Sequence, residues 1–252
     1  MLEEFTVEFL FHLMLIFARL GTAFSQFPAI GSSYIFTRGK LAFSLGVSLI
    51  IMPIVTAYLP KYSDNFSLNI GYLAIEILIG IIVSLAANIY FQALHFVGQI
   101  VSMQSGLGSA AFFDPDQRSQ VTLLSNFMIL VAIVFIFASN THHLFIHAII
   151  DSYAKFPPGE LLDSGDVSKF VSFVINDSFI LSFKLASPFL VVSLAILTGS
   201  DMLARLMPNL QVFFVLTPAQ IIVMFGVFYI IIDAIINKLV IALTYSLNIP
   251  GI

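Results

Sequence analysis

The sequence predicts an all-α, membrane-associated protein built from about six long, partly broken apolar helices. Composition comes first: 59% of the 252 residues are hydrophobic and only 10% are charged, with a mean hydropathy of +1.03. Soluble domains carry roughly 25% charged residues, so this balance belongs to a chain that lives in or against a membrane. Second, no formal charge occurs from Ile77 to Phe113, nor again from Ser119 to Ile150. Third, the apolar segments are separated by short polar links rich in Pro and Gly, with no charge run or Ser/Gly linker to divide the chain into domains.

The same composition excludes several functions. A net charge of −4 without a basic cluster offers nothing to bind phosphate, so no nucleic-acid partner is expected. The chain has no cysteine, which removes disulfides, thiolate catalysis and zinc–thiolate sites together. Its opening Met-Leu-Glu-Glu is acidic where a signal peptide needs a basic n-region, so the first apolar segment is expected to stay in the mature protein.

The six segments run roughly 5–25, 41–59, 67–104, 119–153, 168–199 and 211–246. A crossing needs about 20 residues, so the first two fit a single pass. The third and fourth are too long for that and must tilt, project beyond the membrane or break. The first link holds Pro28, Gly31, Arg38 and Gly39, and the second runs from Lys61 to Asn69 after Pro60. The link after segment four carries Pro157-Pro158-Gly159 and three acids, and the last runs from Gly199 to Asn209. Simple alternation puts Arg38, Lys40, Arg118 and Arg205 on one side, which the positive-inside rule makes cytoplasmic.

Segment three carries an unusual face. Ser84, Asn88, Gln92, His95, Gln99, Ser102 and Gly106 recur at helical steps and share a sector of roughly 80°. They form either a polar seam against another helix or one wall of a wet conduit. Gly98, Ser102 and Gly106 also make a small-residue run that lets a second backbone come close.

Between segments three and four lies the stretch from Ser105 to Ser119. Gly106 and Gly108 free the backbone, and Pro115 disfavours helix at Asp114, so Phe112 and Phe113 stand on irregular backbone. Such backbone cannot face lipid with its polar groups unpaired. It is either an interhelical turn or a loop across a cavity.

Four charges, Glu76, Lys184, Asp233 and Lys238, fall within or near apolar stretches. Exposed to lipid they would cost about 2.5–3.5 kcal/mol each, so they are expected to pair with each other, face partner subunits or sit at segment ends, with a proton relay as the functional alternative. Glu76 and Asp233 are the acids available to Lys184. His142, His143 and His147 form the one histidine cluster, but no acid sits beside them in a metal-binding pattern, and a structural role is expected. No Gly-x-Ser-x-Gly elbow, Walker loop or dinucleotide-binding glycine pattern occurs, so neither an enzyme nor a cofactor is expected.

Residues along the whole chain resemble the FliR family, the R component of the flagellar export gate and its type III secretion counterpart. They are Arg19, Gly21, Pro28, Glu76, Gly80, Gly98, the stretch from Gly106 to Pro115, His143, Ser152 and Pro157. The tightest match is Ala204 to Phe213, in which Arg205, Pro208, Asn209 and Phe213 follow the family's signature, with Asn209 where Gln is usual. The resemblance implies a P-like portion over about 1–160 and a Q-like hairpin over about 161–252. It implies assembly with P-like, Q-like and B-like gate subunits in the bacterial inner membrane at the flagellar basal body, around a conduit for unfolded exported proteins. It also implies that Gly106, Gly108, Phe112, Phe113, Asp114 and Pro115 form a plug in that conduit. A secondary transporter with a broken helix and a structural membrane subunit are the rival readings.

Overall fold

The computed structural model describes residues 2–28, 30–31, 35–106, 123–159, 164–207 and 212–247. Among them every regular element is helical. In chain order these are α1 (Leu2–Gln26), α2 (Thr37–Val55), a 3-10 turn (Thr56–Tyr58), α3 (Phe66–Gln104), α4 (Leu123–Ala138), α5 (His142–Lys155), α6 (Ser164–Leu206) and α7 (Val212–Leu247). Among the described residues five helices are long and apolar enough to cross a membrane, and the bent α4–α5 pair is a broken span or a re-entrant loop.

Lengths depart from simple crossings as expected. At 1.5 Å per residue α3 extends about 58 Å, nearly twice the hydrocarbon thickness of a bilayer. It stays unbroken from Phe66 to Gln104, whereas segment four breaks. There the axis bends by 75°, at Ser139–Thr141. Asn140 takes φ 56°, a left-handed conformation that a short amide side chain tolerates better than most. α6 overruns its expected end at 199 and continues to Leu206. The polar residues there do not stop it, because Thr198 and Ser200 turn their hydroxyls back onto the carbonyls of Leu194 and Leu197. The last link is correspondingly shorter than the sequence suggested.

Prolines inside α2, α6 and α7 remove helical N–H groups without ending the helices. In α6, Pro188 cannot serve the carbonyl of Lys184, and the Ser187 hydroxyl donates to it at 2.8 Å instead. Asn65 caps α3 by accepting the Ser67 N–H at 3.1 Å, while Asn69 donates to the Ser63 carbonyl at 2.8 Å.

The chain forms two compact units. One comprises Met1–Ile89, Ile136–Val174 and Ala242–Ile252, the other Tyr90–Phe135 and Ile175–Ile241. In the first, α1 packs along α2, whose buried Ser44 and Ser48 bond to backbone within the helix and so bring small, satisfied surfaces to the contact. Phe24, Phe27 and Phe145 fill its core, with Phe27 and Phe145 stacked at 4.1 Å. In the second, Gly98 of α3 lies so close to α4 that a Cβ there would sit 2.5 Å from Cα of Ser125. This is the close approach expected of the small-residue run, and the Ser125 hydroxyl secures it by donating to the His95 carbonyl. Phe228 packs against Phe127 and Phe189, and Tyr90 donates to Asp177 at 2.7 Å.

Candidate functional site

The most developed polar centre belongs to the first unit and is built on Arg19 of α1. Its Nε donates to Glu76 Oε2 at 2.7 Å and its Nη2 to Glu76 Oε1 at 2.9 Å, so the planar guanidinium meets both carboxylate oxygens. Nη1 donates to Ser152 Oγ at 3.0 Å and Nη2 also to the Phe156 carbonyl at 3.1 Å. The guanidinium carbon lies 3.8 Å from the Tyr153 ring centroid. Both charged side chains are 0% exposed. Four of the five guanidinium N–H donors are thus taken, by α3, by α5 and by the turn that ends α5.

Glycine makes this geometry possible. A Cβ at Gly80, one turn beyond Glu76, would collide with the Thr22 hydroxyl and the Arg19 carbonyl. Only glycine lets α1 and α3 come near enough for the Arg19 fork to reach Glu76. The Tyr153 hydroxyl is buried with no partner among the described residues. The centre is electrically neutral and nearly saturated, an arrangement suited to locking three helices together.

From the sequence alone Glu76 is an embedded charge and one of two acids available to Lys184. The structure corrects this: Glu76 is taken by Arg19, which sequence reasoning had noted only as a point of resemblance. Of the four embedded charges, Glu76 is buried, whereas Lys184, Asp233 and Lys238 are exposed on the chain. Lys184 and Asp233 lie near the middles of α6 and α7, so neither sits at a segment end. A signal for Arg19 was available, since it is a lone cation inside the first apolar segment.

The polar face of α3 divides between the two units. In the first, Ser84 is buried and donates to the Gly80 carbonyl, and Asn88 donates to the Gln26 carbonyl at 3.2 Å. In the second, Ser102 is buried, His95 and Gln99 are half-buried and Gln92 is exposed. The end of α3 is held from two sides there. Ser193 of α6 donates to the Gln104 side chain at 2.5 Å, and Gln220 of α7 donates to the Gln104 carbonyl. Gly106 then turns the chain with φ 77°. Gly108, Phe112, Phe113, Asp114 and Pro115 lie outside the described residues, as do Pro208 and Asn209. Arg205 is exposed in the last turn of α6, where a cation complements the helix dipole, and Phe213 belongs to the first turn of α7. His142 stacks on Phe137 at 5.0 Å, and no group of three metal-ligating residues forms among the described residues.

Comparison with known proteins agrees along nearly the whole length. The family described as "Bacterial export proteins, family 1" matches residues 10–244. The chain is 31% identical over 208 residues to the flagellar biosynthetic protein FliR of Caulobacter vibrioides, covering 82% of this chain and 83% of that one. It is 26% identical over 216 residues to the Escherichia coli protein of the same name, covering 84% and 78%. For the Bacillus subtilis protein the identity is 24% over 215 residues, covering 84% and 82%.

Proposed function

This chain belongs to family 1 of the bacterial export proteins, and we propose that it is the R-type subunit of a flagellar protein export gate in a bacterial inner membrane, at the base of the flagellum. Its work is mechanical and not enzymatic. The observation that carries the reading is the exposure of Lys184 and Asp233 near the centres of two membrane-length helices. A charge facing lipid at that depth costs about 2.5–3.5 kcal/mol, so the chain is a component that other subunits complete. The partners in this reading are P-like, Q-like and B-like gate subunits, and the cargo is unfolded protein.

Within such a gate, residues up to about 160 form the P-like portion, and α6 with α7 the Q-like hairpin. The polar face of α3 from Gln92 to Gln99 lines part of the conduit. The stretch from Gly106 to Pro115, with Phe112 and Phe113 at its apolar tip, closes it when idle. Gly106 supports this, because its left-handed turn ends α3 where the plug begins.

Co-expression tests the reading. Produced with its P- and Q-like neighbours, the chain accumulates in the membrane and copurifies with them; produced alone, it is degraded or aggregates. Lys184→Leu lowers copurification. A well-behaved, protease-resistant chain that needs no partner overturns the proposal and favours a transporter.

A further inference from the structure

A cavity of about 460 Å³ opens between α1 and α2 in the first unit, lined by Glu8, Phe9 and His12 from α1, by Leu49, Met52 and Pro53 from α2, and by Thr56 from the 3-10 turn that follows. We propose that it binds an aminophospholipid of the phosphatidylethanolamine type, with the ammonium group held by Glu8 and the start of an acyl chain held below it.

The cavity lies at the depth of lipid headgroups. Glu8 is the third residue of the apolar span Thr6–Gln26, and Thr56 the third from the end of the span Thr37–Tyr58. Both therefore stand at headgroup level, where a lipid amine resides. The volume lies within the range of small-molecule sites, which pair apolar walls with a few placed polar groups.

Its wall chemistry suits a primary amine. Glu8 is half-buried and has no hydrogen-bond or ion-pair partner among the described residues. Pro53, also in the wall, lacks the N–H that would have served the Leu49 carbonyl. His12 Nε2 donates to the Pro60 carbonyl at 3.0 Å, which leaves Nδ1 as an acceptor in the neutral ring. The Thr56 hydroxyl is spent on the Met52 carbonyl. The wall thus presents acceptors and one negative charge, which a primary ammonium with three N–H donors satisfies. A quaternary ammonium has none to give. Phe9, Leu49 and Met52 supply the apolar surface for the chain beneath. Lys61, an exposed cation, directly follows Pro60, whose carbonyl accepts from the wall residue His12, and the proposal assigns it the lipid phosphate.

The inference concerns the α1–α2 hairpin alone and holds whether or not the gate reading does. The chain has no tryptophan, so Phe9→Trp adds one reporter to the cavity wall. The assembly containing this chain is placed in nanodiscs that carry brominated phosphatidylethanolamine, phosphatidylcholine or phosphatidylglycerol over the same series of mole fractions. Quenching is read as the difference between assemblies with and without the reporter. Quenching by phosphatidylethanolamine is expected at a lipid fraction about fivefold lower than by phosphatidylcholine, which corresponds to ~1 kcal/mol. Glu8→Gln removes that preference and Glu8→Asp keeps it. Lys61→Gln weakens both lipids alike, since both carry the phosphate. Equal quenching by the two lipids overturns the proposal, as does a preference that survives Glu8→Gln. Absence of quenching by every lipid overturns it too.

Discussion

Arg19 and Glu76, 57 residues apart, meet through two hydrogen bonds of 2.7 and 2.9 Å with neither side chain exposed. Pairs of this kind are weak evidence of net stability, because desolvating both ions costs about as much as their attraction returns. Their strength lies in the asymmetry: one ion left behind without the other is severely unfavourable. The pair therefore acts as a test of correct docking between α1 and α3. Ser152 and the Phe156 carbonyl extend that test to the end of α5.

Removing one partner should accordingly harm more than removing both. Arg19→Met or Glu76→Leu alone is expected to cost about 3–5 kcal/mol, and the double variant clearly less than the sum. Thermal melting of the assembled protein, with trypsin resistance alongside, measures the difference. Additive losses would show that the two residues do not act as a unit.

Glycines separate into those that permit contact and those that do not. Gly80→Val and Gly98→Val are expected to abolish folding or assembly, since each Cβ collides with the backbone of a facing helix. Gly46→Ala meets nothing within 4 Å and is expected to be neutral or to stabilise by up to about 1 kcal/mol through helix propensity. Steady-state protein levels and melting temperatures rank the three. Equal tolerance of all three would refute the tight α1–α3 and α3–α4 approaches.

At the end of α3, Gln220→Leu takes away the donor that meets the Gln104 carbonyl. The loss is expected at about 1–3 kcal/mol if the carbonyl stays dry. Gly106→Ala should add roughly 1–2 kcal/mol by forcing a side chain into the left-handed region. Asn at the same position is expected to be milder. Hydrogen exchange localised to the last turn of α3 reads all three, and unchanged protection there would count against the clamp.

Replacing Phe112 and Phe113 by Ala tests the plug. Burial of one Phe is worth about 1.5–3 kcal/mol, enough for a pair to hold a loop shut and still yield to driven cargo. Ion leakage through fully assembled gates is expected to rise while export persists or falls modestly. Intact assembly with no added leak, even after deletion of 106–113, returns the stretch to an ordinary turn.

The number and helical nature of the apolar segments were legible in the sequence, because hydropathy and chain length answer to solvent and need no partner. The small-residue run at Gly98 was legible for a related reason: small side chains at helical spacing limit how far apart two helices must stay. The helix end expected at Gly199 gives way to Leu206, because the Thr198 and Ser200 hydroxyls fold back on local carbonyls. The break at Ser139–Thr141 was anticipated only as one of three ways to fit an overlong segment.

By itself, then, the sequence determined that this chain is helical, membrane-bound and furnished with charges that lipid will not accept. Tertiary structure alone decided which charge meets which. Hydropathy is a local property, summed along the chain, and it reports the cost of burying Glu76 without naming its partner. The choice of Arg19 over Lys184 depends on Gly80 admitting α1 and on Ser152 and Phe156 taking the remaining donors. Those contacts link residues up to 137 positions apart, so they are settled only when the helices pack.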